Sequence, residues 1–217
     1  MKSILITAIA ALTFGHCTAQ ETEVIYTDKK PREVETLMKS ASGFGGHFSM
    51  NIKGTQVYDE TAIMVGGELV FTLNHALNIG VAGYGMPTRI DYADTDNFFR
   101  EDLFVEMGYG GLFIEPVFFD QKVVHFSVPI LIGGGWSGLS NAHYSYDNRY
   151  PDEVFLRDES VFFVLEPGIN MEVNLVKNVK LTMGGTYRYV SGSDIRNVSD
   201  SDLSGASLSA GIRVGWF

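Results

Sequence analysis

The chain has 217 residues, 24 of them glycine, with 12% aromatic and only 19% charged side chains. That is the length of one ordinary domain, and the glycine–aromatic balance suits a β structure better than a helical one. The formal net charge of −10 argues against nucleic acid as a partner, because phosphates need Lys and Arg to neutralise them.

Met1 to Ala19 reads as a signal peptide: Lys2 starts it, Ile4 to Phe14 is its apolar core, and Cys17-Thr18-Ala19 is a small-residue cleavage site. The core is too short for a membrane-spanning helix, which needs about 20 apolar residues. Acylation at Cys17 is disfavoured by the preceding Phe14-Gly15-His16. Removing residues 1–19 takes away one Lys and no acid, moving the charge from −10 to −11, and removes the single Cys. The mature chain then has neither disulfide nor thiol chemistry. Residues 20–42 do not alternate. From Pro31 on, Val34, Leu37, Met38 and Ala41 fall at helical spacing behind Glu33 and Glu35, which predicts a short amphipathic helix in a periplasmic segment.

Residues 43–217 read as eight strands. The first is about Phe44–Lys53, with His47, Ser49, Asn51 and Lys53 on one face and Phe48, Met50 and Ile52 on the other. The second is about Ala62–Leu73, with Ile63, Val65, Leu69 and Phe71 opposite Glu68. The third is about Leu77–Met86. The fourth is about Leu103–Phe118, where Gly110-Gly111 is expected to bulge, shift the phase and leave Glu115 inward. The fifth is about Val123–Trp136. The sixth and seventh form a hairpin over Phe163–Tyr189, turning at Val176-Lys177-Asn178. There Leu165, Ile169, Met171 and Val173 alternate with Glu166, Asn170 and Glu172, and Leu181, Met183 and Tyr187 alternate with Lys180, Thr182 and Arg188. The eighth is Ala206–Phe217, with Leu208, Ala210, Ile212, Val214 and Trp216 opposite Arg213. Side chains in a strand alternate faces. Strands of about 9–11 residues, apolar outside and polar inside, with aromatics near the ends, suit a transmembrane β-barrel.

The connections point the same way. Asn74-His75-Ala76, Phe119-Asp120-Gln121-Lys122 and Val176-Lys177-Asn178 are short. The others, beginning with Gly54–Thr61, are expected to be the longer outer loops. The sequence therefore predicts an all-β fold: an eight-stranded antiparallel up-and-down transmembrane barrel with both ends of the barrel chain on the short-turn side.

Glycine–aromatic phrases such as Val81-Ala82-Gly83-Tyr84-Gly85, Met107-Gly108-Tyr109-Gly110-Gly111-Leu112 and Tyr187-Arg188-Tyr189-Val190-Ser191-Gly192 fill this frame. In that pattern the chain resembles the small outer-membrane β-barrel proteins of Gram-negative bacteria, OmpA-transmembrane-domain and OmpX-like, including barrels of Bacteroidota. The resemblance implies a location in the cell outer membrane, contact with its lipid, and recognition by the barrel-assembly machinery through Trp216 and Phe217 of the last strand. Here Phe217 is one residue out of phase with the apolar stripe ending at Trp216.

Three constellations are candidates for chemistry. The inward charges Glu68, Glu106, Glu115, Glu166, Glu172, Lys180, Arg188 and Arg213, with His125, must pair inside so narrow a barrel. They form either an internal ion-pair network, centred on Glu166, Arg188 and Arg213, or the lining of a narrow channel. His125-Phe126-Ser127 places a base and a hydroxyl on one face and resembles the His-x-Ser pair of outer-membrane lipid A deacylases. Asp91, Asp94, Asp96, Asp194, Asp200 and Asp202 make acidic loops without the Gly and Glu positions of a calcium loop, so neither metal nor cofactor is expected. Tyr144, Tyr146, Tyr150 and Phe155 could offer a ligand surface or an aromatic girdle. The preferred function is a structural or interaction barrel that is not an enzyme. The alternatives are a narrow channel, a lipid-modifying enzyme, or a secreted lipocalin-like binding barrel with its faces inverted.

Overall fold

The computed structural model describes residues 44–92, 103–140 and 156–217. The expected signal peptide, the helix after Pro31, Asp94, Asp96 and the aromatics Tyr144, Tyr146, Tyr150 and Phe155 lie outside the described residues. Ten β segments follow in order: β1 (Phe44–Val57), β2 (Glu60–Leu73), β3 (Leu77–Gly85), β4 (Ile90–Asp91), β5 (Phe104–Phe118), β6 (Val124–Ser127), β7 (Ile130–Ser140), β8 (Leu156–Val176), β9 (Val179–Ser191) and β10 (Gly205–Trp216). A single turn of helix, α1 (Asp200–Leu203), precedes β10.

Every pairing is antiparallel. The ring runs β1, β2, β3, β5, β6 with β7, β8, β9, β10 and back to β1, where Gly46 meets Trp216 and Thr55 meets Ser207. It has eight staves, because β4 only extends the edge of β5 beyond β3, and β6 and β7 are one stave interrupted at Val128-Pro129. Pro129 has no N–H to give the ladder, yet the pairing with β8 keeps step across it, from Val124 against Val173 to Ile130 against Pro167. Closure leaves no unpaired edge around the ring, which is the condition for a sheet to cross lipid.

The alternation sorts the side chains as expected. Phe48, Met50, Ile52, Leu69, Val81, Phe126, Ile169, Met183, Leu208 and Ile212 are exposed on the outer face, and His47, Ser49, Lys53, Glu68, Glu166, Glu172 and Arg213 are buried inside. A contiguous apolar exterior of this kind is unfavourable in water and suited to a hydrocarbon environment. It is the reverse of the lipocalin arrangement.

Four expectations about the staves need correction. The Gly54–Thr61 connection is not a long loop: β1 runs on to Val57, and Tyr58-Asp59, with φ of 51° and 60°, makes a two-residue turn into β2. Gly110-Gly111 is not a bulge, since β5 pairs without slippage against both β3 and β7. Its glycines serve close approach instead, because a Cβ on Gly111 would lie 2.2 Å from the Ile132 carbonyl oxygen. Without a phase shift, Glu106 takes the outward parity and accepts a 2.6 Å hydrogen bond from Ser140 Oγ, while Glu115 stays inward. Finally, β7 and β8 extend past their expected ends, to Ser140 and from Leu156.

Candidate functional site: a filled lumen in two layers

The lower layer, toward the short turns, is polar. Arg213 on β10 reaches the opposite wall, where Nη1 donates to Glu115 Oε2 at 2.7 Å and Nη2 to Glu115 Oε1 at 2.9 Å. This is the two-pronged geometry that favours guanidinium over ammonium. The same fork reaches Glu172 Oε1 at 2.8 Å and Glu68 Oε2 at 3.3 Å. Two of these carboxylates are finished by neutral donors: Glu68 by Ser49 Oγ, Asn51 Nδ2 and Tyr84 OH, and Glu115 by Ser127 Oγ and Asn78 Nδ2. Glu172 Oε2 lies 2.9 Å from His125 Nε2 and 3.5 Å from Lys180 Nζ.

A second brace sits beside it. Lys53 on β1 meets Glu166 on β8 at 2.5 Å, and Glu166 also accepts from Tyr109 OH at 2.6 Å and Thr186 Oγ1 at 2.5 Å. The Lys53 ammonium stands 3.4 Å over the centre of the Tyr84 ring. Near it remains an internal space of about 20 Å³, enough for roughly one water molecule. The described interior thus sets Lys53, Lys180, Arg188 and Arg213 against Glu68, Glu115, Glu166 and Glu172. Balanced charge is what makes such burial tolerable.

The structure brings Arg213, Glu115, Glu172, Glu68, His125 and Lys180 together, but the centre differs from the expected one. Glu166 pairs with Lys53, and Arg188 forms no ion pair with Glu166. Arg188 points toward the loop end instead, donating from Nε to Leu203 O at 2.8 Å and from Nη2 to Gln56 O at 3.3 Å. The reason is its level on β9, opposite Gly205 and beneath α1. Lys53, Tyr84 and Tyr109 were missed as network members, although their strand parity already turned them inward.

The upper layer is apolar, which the alternation did not foretell. Val57, Met64, Ile90, Leu103, Val105, Leu139, Val164 and Val190 line the loop-end half, and the β9–β10 connection fills it with Ile195, Val198 and Leu203. This connection is a plug. Gly192 turns it inward at φ 92°, a conformation that favours glycine. Tyr58 N donates to Asp202 O at 2.7 Å, Arg196 N to Asp158 Oδ2 at 2.9 Å, and Tyr92 OH to Arg196 O at 3.0 Å. The acidic residues are spent on the plug itself: Asp200 accepts from the amides of Gly192 and Ser193, and Asp202 caps α1 through the Ser199 amide. Among the described residues no group of three His, Asp or Glu side chains converges as metal ligands.

The deacylase-like pair does not assemble. His125 and Ser127 are both fully buried, and each bonds a different glutamate, Glu172 and Glu115. At the last strand, Trp216 is exposed outward, while Phe217 turns inward, 5.3 Å from the His47 ring and under Lys180 Nζ at 4.0 Å. Its phase break thus places an aromatic ring at the turn-end mouth.

No protein-family model matches the chain, and no curated protein matches it. Among solved structures it is similar to Neisserial surface protein A (NspA), with a TM-score of 0.54 and 15% identity over 81% of this chain and 99% of that one. Lower scores relate it to Ail, the attachment invasion locus protein of Yersinia pestis (TM-score 0.49, 11% identity, 80% and 99% covered), and to a major outer membrane protein from Thermus thermophilus (0.47, 9%, 79% and 99%). The chain has the fold of the small eight-stranded outer-membrane β-barrel proteins.

Proposed function

We propose that the chain sits in a bacterial outer membrane as a closed barrel with a structural or interaction role, and not as an open pore. One observation carries this reading: opposite walls of the lumen are braced through Arg213, and its loop end is filled by the β9–β10 plug. An open channel would need a continuous polar path, and the apolar side chains packed around the plug interrupt one. The exposed apolar belt supports contact with lipid. The turn end then faces the periplasm and the loop end the exterior, with assembly proceeding through the β10 edge that carries Trp216. Partner contact falls to the outer connections, where the sequence offers Tyr144, Tyr146, Tyr150 and Phe155.

The test is fractionation followed by electrophoresis in SDS with and without boiling. The protein is expected in the outer-membrane fraction, with a mobility that changes on boiling as the closed barrel unfolds. Recovery from the soluble fraction, with no boiling-dependent shift, would overturn the reading.

A further inference from the structure

At the turn end the lumen opens into a concavity of about 500 Å³ among the β2–β3, β5–β6 and β8–β9 turns, a volume in the range of small-molecule sites, roughly 300–1,000 Å³. Hydrogen bonds hold its rim in place. Val117 N donates to Ala76 O at 2.8 Å and ties the β2–β3 turn to β5. Asn174 N donates to Val123 O at 2.9 Å and Asn174 Nδ2 to Lys122 O at 3.1 Å, which ties β8 to the β5–β6 turn. Asn178 fastens the β8–β9 turn to β10, donating from Nδ2 to Gly215 O at 2.8 Å and accepting from Gly215 N at 3.0 Å. A rim held from so many sides needs little further ordering when a ligand arrives.

The charges of the lining do not select an anion. Lys180 belongs to the interior network through Glu172, 3.5 Å away, the Lys177 ammonium is offset by the Asp120 carboxylate, and the Phe217 carboxylate adds negative charge. A cationic ligand would in turn meet the Lys177 and Lys180 ammonium groups on the same wall. What is left over is neutral and mixed. The side chains of Gln121 and His75 line the space and form no hydrogen bond with other described residues. An amide carries two N–H donors and an acceptor oxygen, and a neutral imidazole one donor and one acceptor. Asn174 spends Nδ2 on the Lys122 carbonyl, and Thr72 Oγ1 donates to Asn78 Oδ1 at 2.8 Å, so each keeps an oxygen that accepts. Val117, Val176 and Phe217 supply apolar wall between them. Such a lining matches a ring that carries many hydroxyls. Each O–H gives one hydrogen bond and takes others, while the C–H faces of the ring are apolar.

We propose that this concavity binds a neutral saccharide, its hydroxyls on Gln121, His75, Thr72 and Asn174 and its apolar ring face against Val117 and Val176. The same chemistry is offered by a free disaccharide and by a stretch of a longer glycan chain.

The experiment is an amide-resolved NMR titration of the full chain folded in micelles of a detergent without a sugar head. The probes are cellobiose, its fully O-methylated form, cellotetraose, and the charged sugars glucosamine and glucuronate. Cellobiose is expected to give saturable shifts at the Ala76, Gln121 and Val176 amides that the methylated form does not. Gln121→Ala should lower the affinity about fivefold, the scale of one net hydrogen bond. Lys177→Gln should change it by less than about twofold, because recognition does not rest on charge. Both substitutions fall on exposed turns, and heat modifiability reports that each variant is folded. Tighter binding of cellotetraose assigns the source to a glycan chain, and equal or weaker binding assigns it to a free disaccharide. Equal responses to cellobiose and its methylated form, tighter binding of either charged sugar, a larger loss in Lys177→Gln than in Gln121→Ala, or no saturable shift with cellobiose would overturn the proposal.

Discussion

Arg213→Met is expected to destabilise the barrel by about 3–5 kcal/mol, the range for removing one partner of a buried ionic cluster. The substitution roughly preserves length and apolar bulk, so the loss is electrostatic. Glu68, Glu115 and Glu172 are 5%, 0% and 1% exposed, and without the guanidinium their mutual repulsion is offset mainly by the Lys180 ammonium, 3.5 Å from Glu172. Reversible urea unfolding in detergent or lipid vesicles measures the change. Two companions sharpen it. Arg213→Lys should recover only part, because a point charge cannot fork to Glu115 while reaching Glu172. Arg213→Met combined with Glu115→Gln should lose less than Arg213→Met alone, since the second change removes one of the stranded charges. A loss below about 1 kcal/mol, the scale of an exposed pair, would mean that Arg213 does not brace the lumen.

Leu203→Asp is expected to release the plug while leaving the barrel closed. Leu203 is 0% exposed within the apolar layer; a carboxylate there loses its hydration, and the neighbouring Arg188 is already committed to the Leu203 and Gln56 carbonyls, so the cost is several kcal/mol. That exceeds what the plug can keep when its alternative is to swing out into water. The stave-to-stave ladders do not pass through residues 192–204, so the boiling-dependent shift in SDS should persist. Trypsin reports the difference. Arg196 is held from both sides, by Asp158 at its amide and by Tyr92 at its carbonyl, and wild type should resist cleavage there. The variant should be cut after Arg196 in the folded barrel. Resistance equal to wild type would show that the plug does not depend on its buried leucine.

The staves were legible in the sequence because one physical rule generates them. Glu166, Asn170 and Glu172 alternate with Ile169, Met171 and Val173, and only a sheet with two unlike faces separates those lists. Parity also placed Arg213 and Glu68 inside correctly. Parity does not say which inward group meets which, since that depends on stave height and stagger around the ring. Arg188 therefore went to the Leu203 carbonyl instead of Glu166, and Lys53 took Glu166 from three staves away. At Gly110-Gly111, two glycines read as a bulge were instead relieving close contact between neighbouring strands. The plug was invisible for a different reason: Ile195, Val198 and Leu203 sit among Ser, Asp and Asn with neither strand nor helix periodicity. Their burial follows from tertiary contacts alone. The remaining signal was the apolar inward set Val57, Met64, Val105, Val164 and Val190, which marks the apolar loop-end half of the lumen.

The claim that the lumen is sealed is tested most directly by electrical recording of the purified protein in planar lipid bilayers. The account predicts a silent baseline from correctly inserted, heat-modifiable protein. Reproducible unitary current steps that change when Lys53 or Arg213 is neutralised would contradict it, and would make the two charged braces the lining of a pore.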